Sequence, residues 1–286
     1  MNNEKYIGVF DSGFGGLSVL RLLIQKFPTE NFIFYGDSVN APYGTKDKNT
    51  IIELVKKSVY DLLKINPNIK LLVLACNTAT VSSIDELKKE FPHIKIIGTK
   101  PSLHVLIEPS TILKSKTSHI SFIDKKLNVN IDKNKKKVLI LSTAATKNSK
   151  FLNDEINNYK KFFDIQVISA PEIVYYVENM MVDSDECDEY IKNILYNQND
   201  IDYLMLACTH FPFAAHIIKK YINENATIID NGEITVDNVT KYLKNNTNDN
   251  ECNNRYIKII DTQGGYDREK MYTKLLSNAN IEFLNQ

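Results

Sequence analysis

The sequence contains no tryptophan, and only 5 histidines, 8 prolines and 10 glycines are spread over its 286 residues. It also lacks net charge, with 35 basic residues matched by 35 acidic ones. A chain with no global positive field has no general attraction for nucleic acid or anionic membrane, so neither partner is expected. No apolar run approaches the roughly 18 residues that a membrane span needs. The beginning, Met1-Asn2-Asn3-Glu4-Lys5-Tyr6, leads into a strand-like run without a signal-peptide core, which makes a cytoplasmic location the expectation. The four cysteines, Cys76, Cys187, Cys208 and Cys252, should then be reduced thiols. None belongs to a Cys-x-x-Cys pair and no His-x-x-x-His occurs, so no metal site is expected, and nothing in the sequence supplies an obvious carbonyl-type cofactor site. The missing tryptophan, beside a high content of Asn and Lys, reads as genomic bias and carries no chemistry.

What is present is an ample core-forming content, 43% hydrophobic, arranged as alternating short apolar runs and helical patterns. Tyr6 to Phe10 is a strand that ends in Asp11-Ser12-Gly13-Phe14-Gly15-Gly16, after which Leu17, Leu20, Leu23 and Ile24 recur at helical spacing. Such glycines let amides approach a small anion at a helix start. The loop fails as a dinucleotide fingerprint, because the third glycine is missing at the required offset. Asn31 to Tyr35, a helix from about Thr50 to Lys64, the run Leu71 to Ala75, a helix near Val81 to Glu90 and the strand Ile94 to Ile97 continue the alternation. This is the pattern of a parallel sheet covered on both faces.

From Ser110 to Lys137 the pattern gives way to a Lys- and Asn-rich stretch that reads as a solvated connector. Val138 to Leu141 restarts it, ending in Ser142-Thr143-Ala144-Ala145-Thr146. A strand at Ile165 to Ser169 follows, then a helix opened by Pro171 that carries Glu178 beside its apolar stripe, a place that suits a solvated edge as well as a site. Tyr203 to Ala207, Thr227 to Ile229 and Tyr256 to Ile260 are further strands, and a helix is expected after Gly232. The expected fold is α/β, with two pseudo-symmetric lobes, each a mostly parallel sheet flanked by helices, and a site in the cleft between them. The first lobe is expected over residues 1–99 plus 211–286, and the second over 100–210, including the polar segment at about 110–137.

The two lobes repeat one phrase. Leu74-Ala75-Cys76-Asn77-Thr78 and Leu206-Ala207-Cys208-Thr209-His210 each run from a buried strand through Ala-Cys into hydrogen-bonding side chains. Free cysteine is often a small core hydrophobe. Here, however, each thiol sits at the carboxyl end of a strand, where open α/β sheets bind ligands, and keeps polar company. Cys187 and Cys252 lack such neighbours and receive no role. Two thiols facing one carbon from opposite sides can remove a proton from one face and return one to the other, which inverts a stereocentre. Thiol acidity near 8.5 keeps both protonation states reachable. Asp11 and His210 are the candidates to exchange the thiol protons, with Glu178 orienting His210; a core imidazole is the alternative for His210. Ser12, Asn77, Thr78, Thr143, Thr146 and Thr209 offer donors to carboxylate groups. A cysteine amidohydrolase using Cys208 and His210 alone, or a binding module without chemistry, remains an alternative at this point.

Asp11-Ser12-Gly13-Phe14-Gly15-Gly16-Leu17-Ser18-Val19, Tyr35-Gly36-Asp37, Pro42-Tyr43-Gly44-Thr45, Ala75-Cys76-Asn77-Thr78-Ala79 and Ala207-Cys208-Thr209-His210-Phe211-Pro212 closely resemble the motifs of the glutamate racemases. The resemblance runs from about Ile7 to Leu284. It implies cofactor-independent interconversion of the glutamate enantiomers for peptidoglycan synthesis, with Cys76 and Cys208 as the catalytic acid-bases. It further implies Asp11 on the Cys76 side, His210 with Glu178 on the other, and substrate contacts from Asp11, Ser12, Tyr43, Gly44, Asn77, Thr78, Thr143, Thr146, Thr209 and His210. A homodimer is implied as well. Aspartate racemases share the cysteine pairing, so racemisation of aspartate or another acidic amino acid is the alternative substrate choice. The stretch His104 to Lys137 is longer and more polar than in relatives, and Gly98-Thr99-Lys100-Pro101 departs from their usual wording.

Overall fold

A computed structural model describes residues 5–107, 135–246, 255–276 and 281–284. Most of the expected Lys/Asn-rich segment, and Cys252, lie outside the described residues; Lys136 and Lys137 already belong to a strand. The first part of the chain alternates β1 (Tyr6–Asp11), α1 (Leu17–Lys26), β2 (Asn31–Gly36), α2 (Lys48–Ile65), β3 (Ile69–Leu74), α3 (Asn77–Glu90) and β4 (Lys95–Gly98). The second contains β5 (Lys136–Ser142), α4 (Ala144–Lys147), α5 (Lys150–Tyr159), β6 (Phe163–Ser169), α6 (Pro171–Glu178), α7 (Asp185–Ile194), β7 (Tyr203–Ala207), α8 (Ala215–Ile218) and β8 (Thr227–Asp230). The chain then returns through α9 (Asn231–Asn246) to β9 (Ile257–Asp261), α10 (Tyr266–Leu275) and β10 (Ile281–Phe283).

Two parallel sheets result, a six-stranded one in the order β10-β9-β2-β1-β3-β4 and a four-stranded one in the order β6-β5-β7-β8. Every residue of β1, β2 and β7 is buried, as expected for strands covered on both faces. One apolar cluster spans both halves, joining Val9, Phe34 and Val73 of the larger sheet to Leu139, Leu204 and Leu206 of the smaller. The outer faces are closed separately, by α2 and α3 on the larger sheet and by α5 on the smaller.

The expected lobe boundary at residue 211 does not follow the sheets. Thr227–Asp230 pairs with β7 and extends the four-stranded sheet, and the chain rejoins the six-stranded sheet at Ile257. The reason is local: the turn and short helix after Cys208 form the crossover that brings β8 back beside β7, where Ile228 joins the shared core. α9 then packs against α1 and leads back to the first half.

Candidate active site

β1 pairs in parallel with β3, and β5 with β7, so each sheet delivers the residues that follow its strands to one edge, and Ser12, Cys76, Thr143 and Cys208 from just beyond those four strands line a common cleft. Cys76 follows β3 and caps α3: its backbone is extended (φ −62°, ψ 118°) and its Sγ accepts the Ala79 amide at 3.4 Å. The helix therefore opens directly after the cysteine, four residues earlier than the expected start near Val81. This places Asn77 and Thr78 in the first turn, where amide groups lack helical partners. The Ser12 hydroxyl lies 3.4 Å from Cys76 Sγ. Burial, reinforced by the negative charge of Asp11, pushes the Cys76 thiol up to about 12.

Cys208 follows β7 and precedes a 3₁₀ turn, Phe211–Ala214, with Pro212 in its first positions. The His210 ring lies between Cys208 Sγ, 3.6 Å from Nδ1, and Glu178 Oε1, 2.6 Å from Nε2. Burial alone would hold His210 neutral; its hydrogen bonds to Cys208 and Glu178 outweigh that and raise it well above its ordinary value. Burial alone would likewise raise Glu178, yet the His210 hydrogen bond, the charges of His210 and Arg268 and the Phe14 amide bring it down to about 2. The Phe14 N–H donates to Glu178 Oε1 at 2.8 Å and Arg268 Nη2 donates to Oε2 at 3.1 Å.

Asp11, at the end of β1, is fully buried. Its carboxylate accepts the Gly13 amide at 3.0 Å and the Thr209 hydroxyl at 3.2 Å. Burial lifts it from 3.8 to about 7 against the opposing charge of His210.

A cleft that opens to solvent is lined by both Cys76 and Cys208 together with Ser12, Tyr43, Gly44, Asn77, Thr78, Thr143, Glu178, Thr209 and His210. Each thiol is 6% exposed. Asp11 and Thr146 stand behind this lining. Thr146 Oγ1 accepts the Thr143 hydroxyl at 3.1 Å, and Thr78 Oγ1 lies 2.8 Å from Thr143 Oγ1, so three threonines from α3 and the β5–α4 junction form one hydroxyl cluster. The Tyr43 hydroxyl is already committed to Asp37 Oδ2 at 2.6 Å. Tyr43 thus lines the cleft while its hydroxyl proton is given to Asp37.

Two features were not legible in the motifs. The glycine loop serves a different purpose from the expected one: its Phe14 amide meets the carboxylate of Glu178, not a ligand anion. Gly15 leaves room for the imidazole, since a Cβ there would lie 2.4 Å from His210 Nδ1. The second is Arg268 with Asp261 and Ser38. Arg268 lies 230 positions from Ser38 and 90 from Glu178, and it sits on an ordinary polar helix that no local pattern distinguishes.

Two parallel sheets sharing one core, each presenting one buried thiol from a strand end to a common cleft, define a class of two-lobed α/β proteins with paired cleft thiols. No family model matches the chain. The glutamate racemase of Clostridium botulinum (strain Alaska E43) is 32% identical over 279 residues, which cover 96% of this chain and 98% of that protein. The glutamate racemase of Clostridium acetobutylicum is 36% identical over 232 residues, 80% of each chain. The crystal structure of a glutamate racemase isoform from Bacillus anthracis superposes with a TM-score of 0.78 at 25% identity, covering 99% of this chain and 98% of that one. The chain belongs to the glutamate racemase family.

Proposed function

We propose that this protein interconverts L- and D-glutamate by moving a proton between Cα and two cysteines, without pyridoxal phosphate. The observation that carries this reading is that Cys76 and Cys208, one from each sheet, line one cleft and each has its own hydrogen-bonding partner. In one direction Cys208 acts as thiolate: the Cα–H bond breaks as an S–H bond forms. Cys76 then gives its thiol proton to the opposite face of Cα and becomes the thiolate. The reverse reaction exchanges the roles.

His210 serves the Cys208 side. Its Nε2 is tied to ionised Glu178, which leaves Nδ1 facing the sulfur, and a cationic ring beside a thiolate stabilises it. Asp11 serves the Cys76 side through its charge, with the Ser12 hydroxyl as the group in contact with that thiol. A carboxyl titrating at about 7 is available in both protonation states near neutrality, as alternating acid and base roles require. The substrate carboxylates fall to Ser12, Asn77, Thr78, Thr143 and Thr209 and to the open amides of the first turn of α3, with Thr146 supporting Thr143. Gly44, close against Thr143, and Tyr43 complete the lining beside these donors. Supply of D-glutamate to peptidoglycan synthesis, a cytoplasmic location and a homodimeric state complete the proposal on the strength of the family motifs. Among the described residues no helix is long and apolar enough to cross a membrane.

The test is chiral chromatography after incubation of the purified protein with L-glutamate or L-aspartate and no added cofactor. D-glutamate rising toward equal amounts of the two enantiomers is expected. Faster turnover of aspartate, or no D-product from either, overturns the proposal.

A further inference from the structure

Glu178 ends α6 and belongs to the half built on the four-stranded sheet, whereas the cation that holds it comes from the other half. Arg268 lies on α10, between the two strands at one end of the six-stranded sheet. Its guanidinium is fixed from three directions: Nη2 donates to Glu178 Oε2 at 3.1 Å and to Ser38 Oγ at 2.7 Å, and Nε donates to Asp261 Oδ2 at 2.9 Å. Asp261 Oδ2 is itself held by the Ser38 hydroxyl at 2.9 Å and the Tyr272 hydroxyl at 2.5 Å. The Arg268 side chain is only 12% exposed, so these contacts are screened far less than a surface ion pair.

Resting on the racemase reading above, we propose that Arg268 is the positioning residue for the Cys208 half-reaction: it fixes the Glu178–His210 pair from the opposite lobe and so keeps the imidazole aimed at Cys208. The two carboxylate oxygens of Glu178 divide the work. Oε1 holds His210 and the Phe14 amide, and Oε2 is held by Arg268. Without the guanidinium, Oε2 is left without its cation in a largely buried place and the carboxylate can turn, taking the imidazole with it. A lysine restores the charge but not the fork that spans Glu178, Ser38 and Asp261 at once. Arg268 touches neither thiol and does not line the cleft, and its effect reaches the sulfur through two intervening side chains.

The experiment compares the parent enzyme with Arg268→Met and Arg268→Lys, measuring kcat, KM and the primary isotope effects with 2-deuterated L-glutamate and 2-deuterated D-glutamate. In Arg268→Met, kcat falls about 10- to 100-fold with a smaller change in KM, as expected for a misplaced acid-base group. Arg268→Lys recovers part of the loss. The isotope effect rises with one enantiomer and falls with the other, because slowing the Cys208 step alone makes that one proton transfer limiting in both directions. Isotope effects are ratios and do not depend on how much of a variant is folded. Unchanged isotope effects in both variants, or a shift in the same direction with both enantiomers, make Arg268 a merely structural strut and overturn the inference. If the parent enzyme racemises glutamate and Arg268→Met retains its kcat, the inference alone is lost. If the parent enzyme does not racemise glutamate, the proposed function fails and takes the inference with it.

Discussion

Single side chains in this site are governed by burial set against a few close partners. Asp11 and Glu178 are both carboxylates near His210, yet they are driven apart, one to about 7 and the other to about 2. The difference lies in their donors. Glu178 has a ring nitrogen, a guanidinium and an amide, whereas Asp11 has one amide and one neutral hydroxyl, too little to offset full burial. The sign for stability follows from linkage. A carboxyl raised in the folded state binds its proton more tightly there than in the unfolded chain, so its unfavourable contribution grows as pH rises from 3.8 and is complete above about 7. Asp11→Asn, which keeps the neutral shape, is expected to raise the melting temperature relative to the parent at pH 8 more than at pH 5. An equal effect at both values, read by thermal unfolding, would argue against an elevated Asp11.

Gly15 shows how little space surrounds the imidazole. A methyl group placed there would stand 2.4 Å from His210 Nδ1 and 2.5 Å from Cε1, distances that no real Cβ tolerates. Gly15→Ala is therefore expected to displace His210 and lower kcat by about 100-fold, the scale of a misplaced catalytic group. A variant with parental turnover under the same assay would show that the ring can yield.

Among secondary-structure elements, those with strong periodicity were legible in the sequence and those set by long-range contacts were not. β1, α1, β2, α2, β3 and β7 fall where short aliphatic runs and 3.6-residue spacing place them. α3 starts before its apolar spacing does because Asn77-Thr78-Ala79-Thr80 has no apolar stripe; a cysteine thiol acts as the cap in place of the usual hydroxyl or carboxylate. After Cys208 the chain forms only a 3₁₀ turn and a four-residue helix, since it must turn quickly to place β8 beside β7. α10 gave no sign of importance, because its functional side chain pairs with residues 90 and 230 positions away. Its anchoring is testable. Tyr272 is fully buried and donates to Asp261 at 2.5 Å, while its ring packs edge-on to Phe14 and Phe34. Tyr272→Phe keeps the packing and removes the hydrogen bond to a charged acceptor, so a loss of about 1–3 kcal/mol is expected in denaturant unfolding. A change near zero would mean that Asp261 is satisfied by Arg268 and Ser38 alone.

For the whole molecule, the repeated Ala-Cys phrase already pointed to two similar halves meeting at one site, and the two thiols do line one cleft. What the repeat could not reveal is that the halves share a continuous apolar core and exchange elements, with β8 in the smaller sheet and α9 packed back on the larger half. A cleft lined by residues from both sheets can bring the two sulfurs to opposite faces of one carbon. The most direct measurement of that opposition follows the Cα hydrogen during early turnover of L-glutamate in deuterium oxide, by mass spectrometry of the separated enantiomers. Two opposed thiols predict D-glutamate carrying one solvent deuterium per molecule, while the remaining L-glutamate still carries its original hydrogen. D-glutamate that retains the substrate's own hydrogen would mean that one group serves both faces, and would contradict the account.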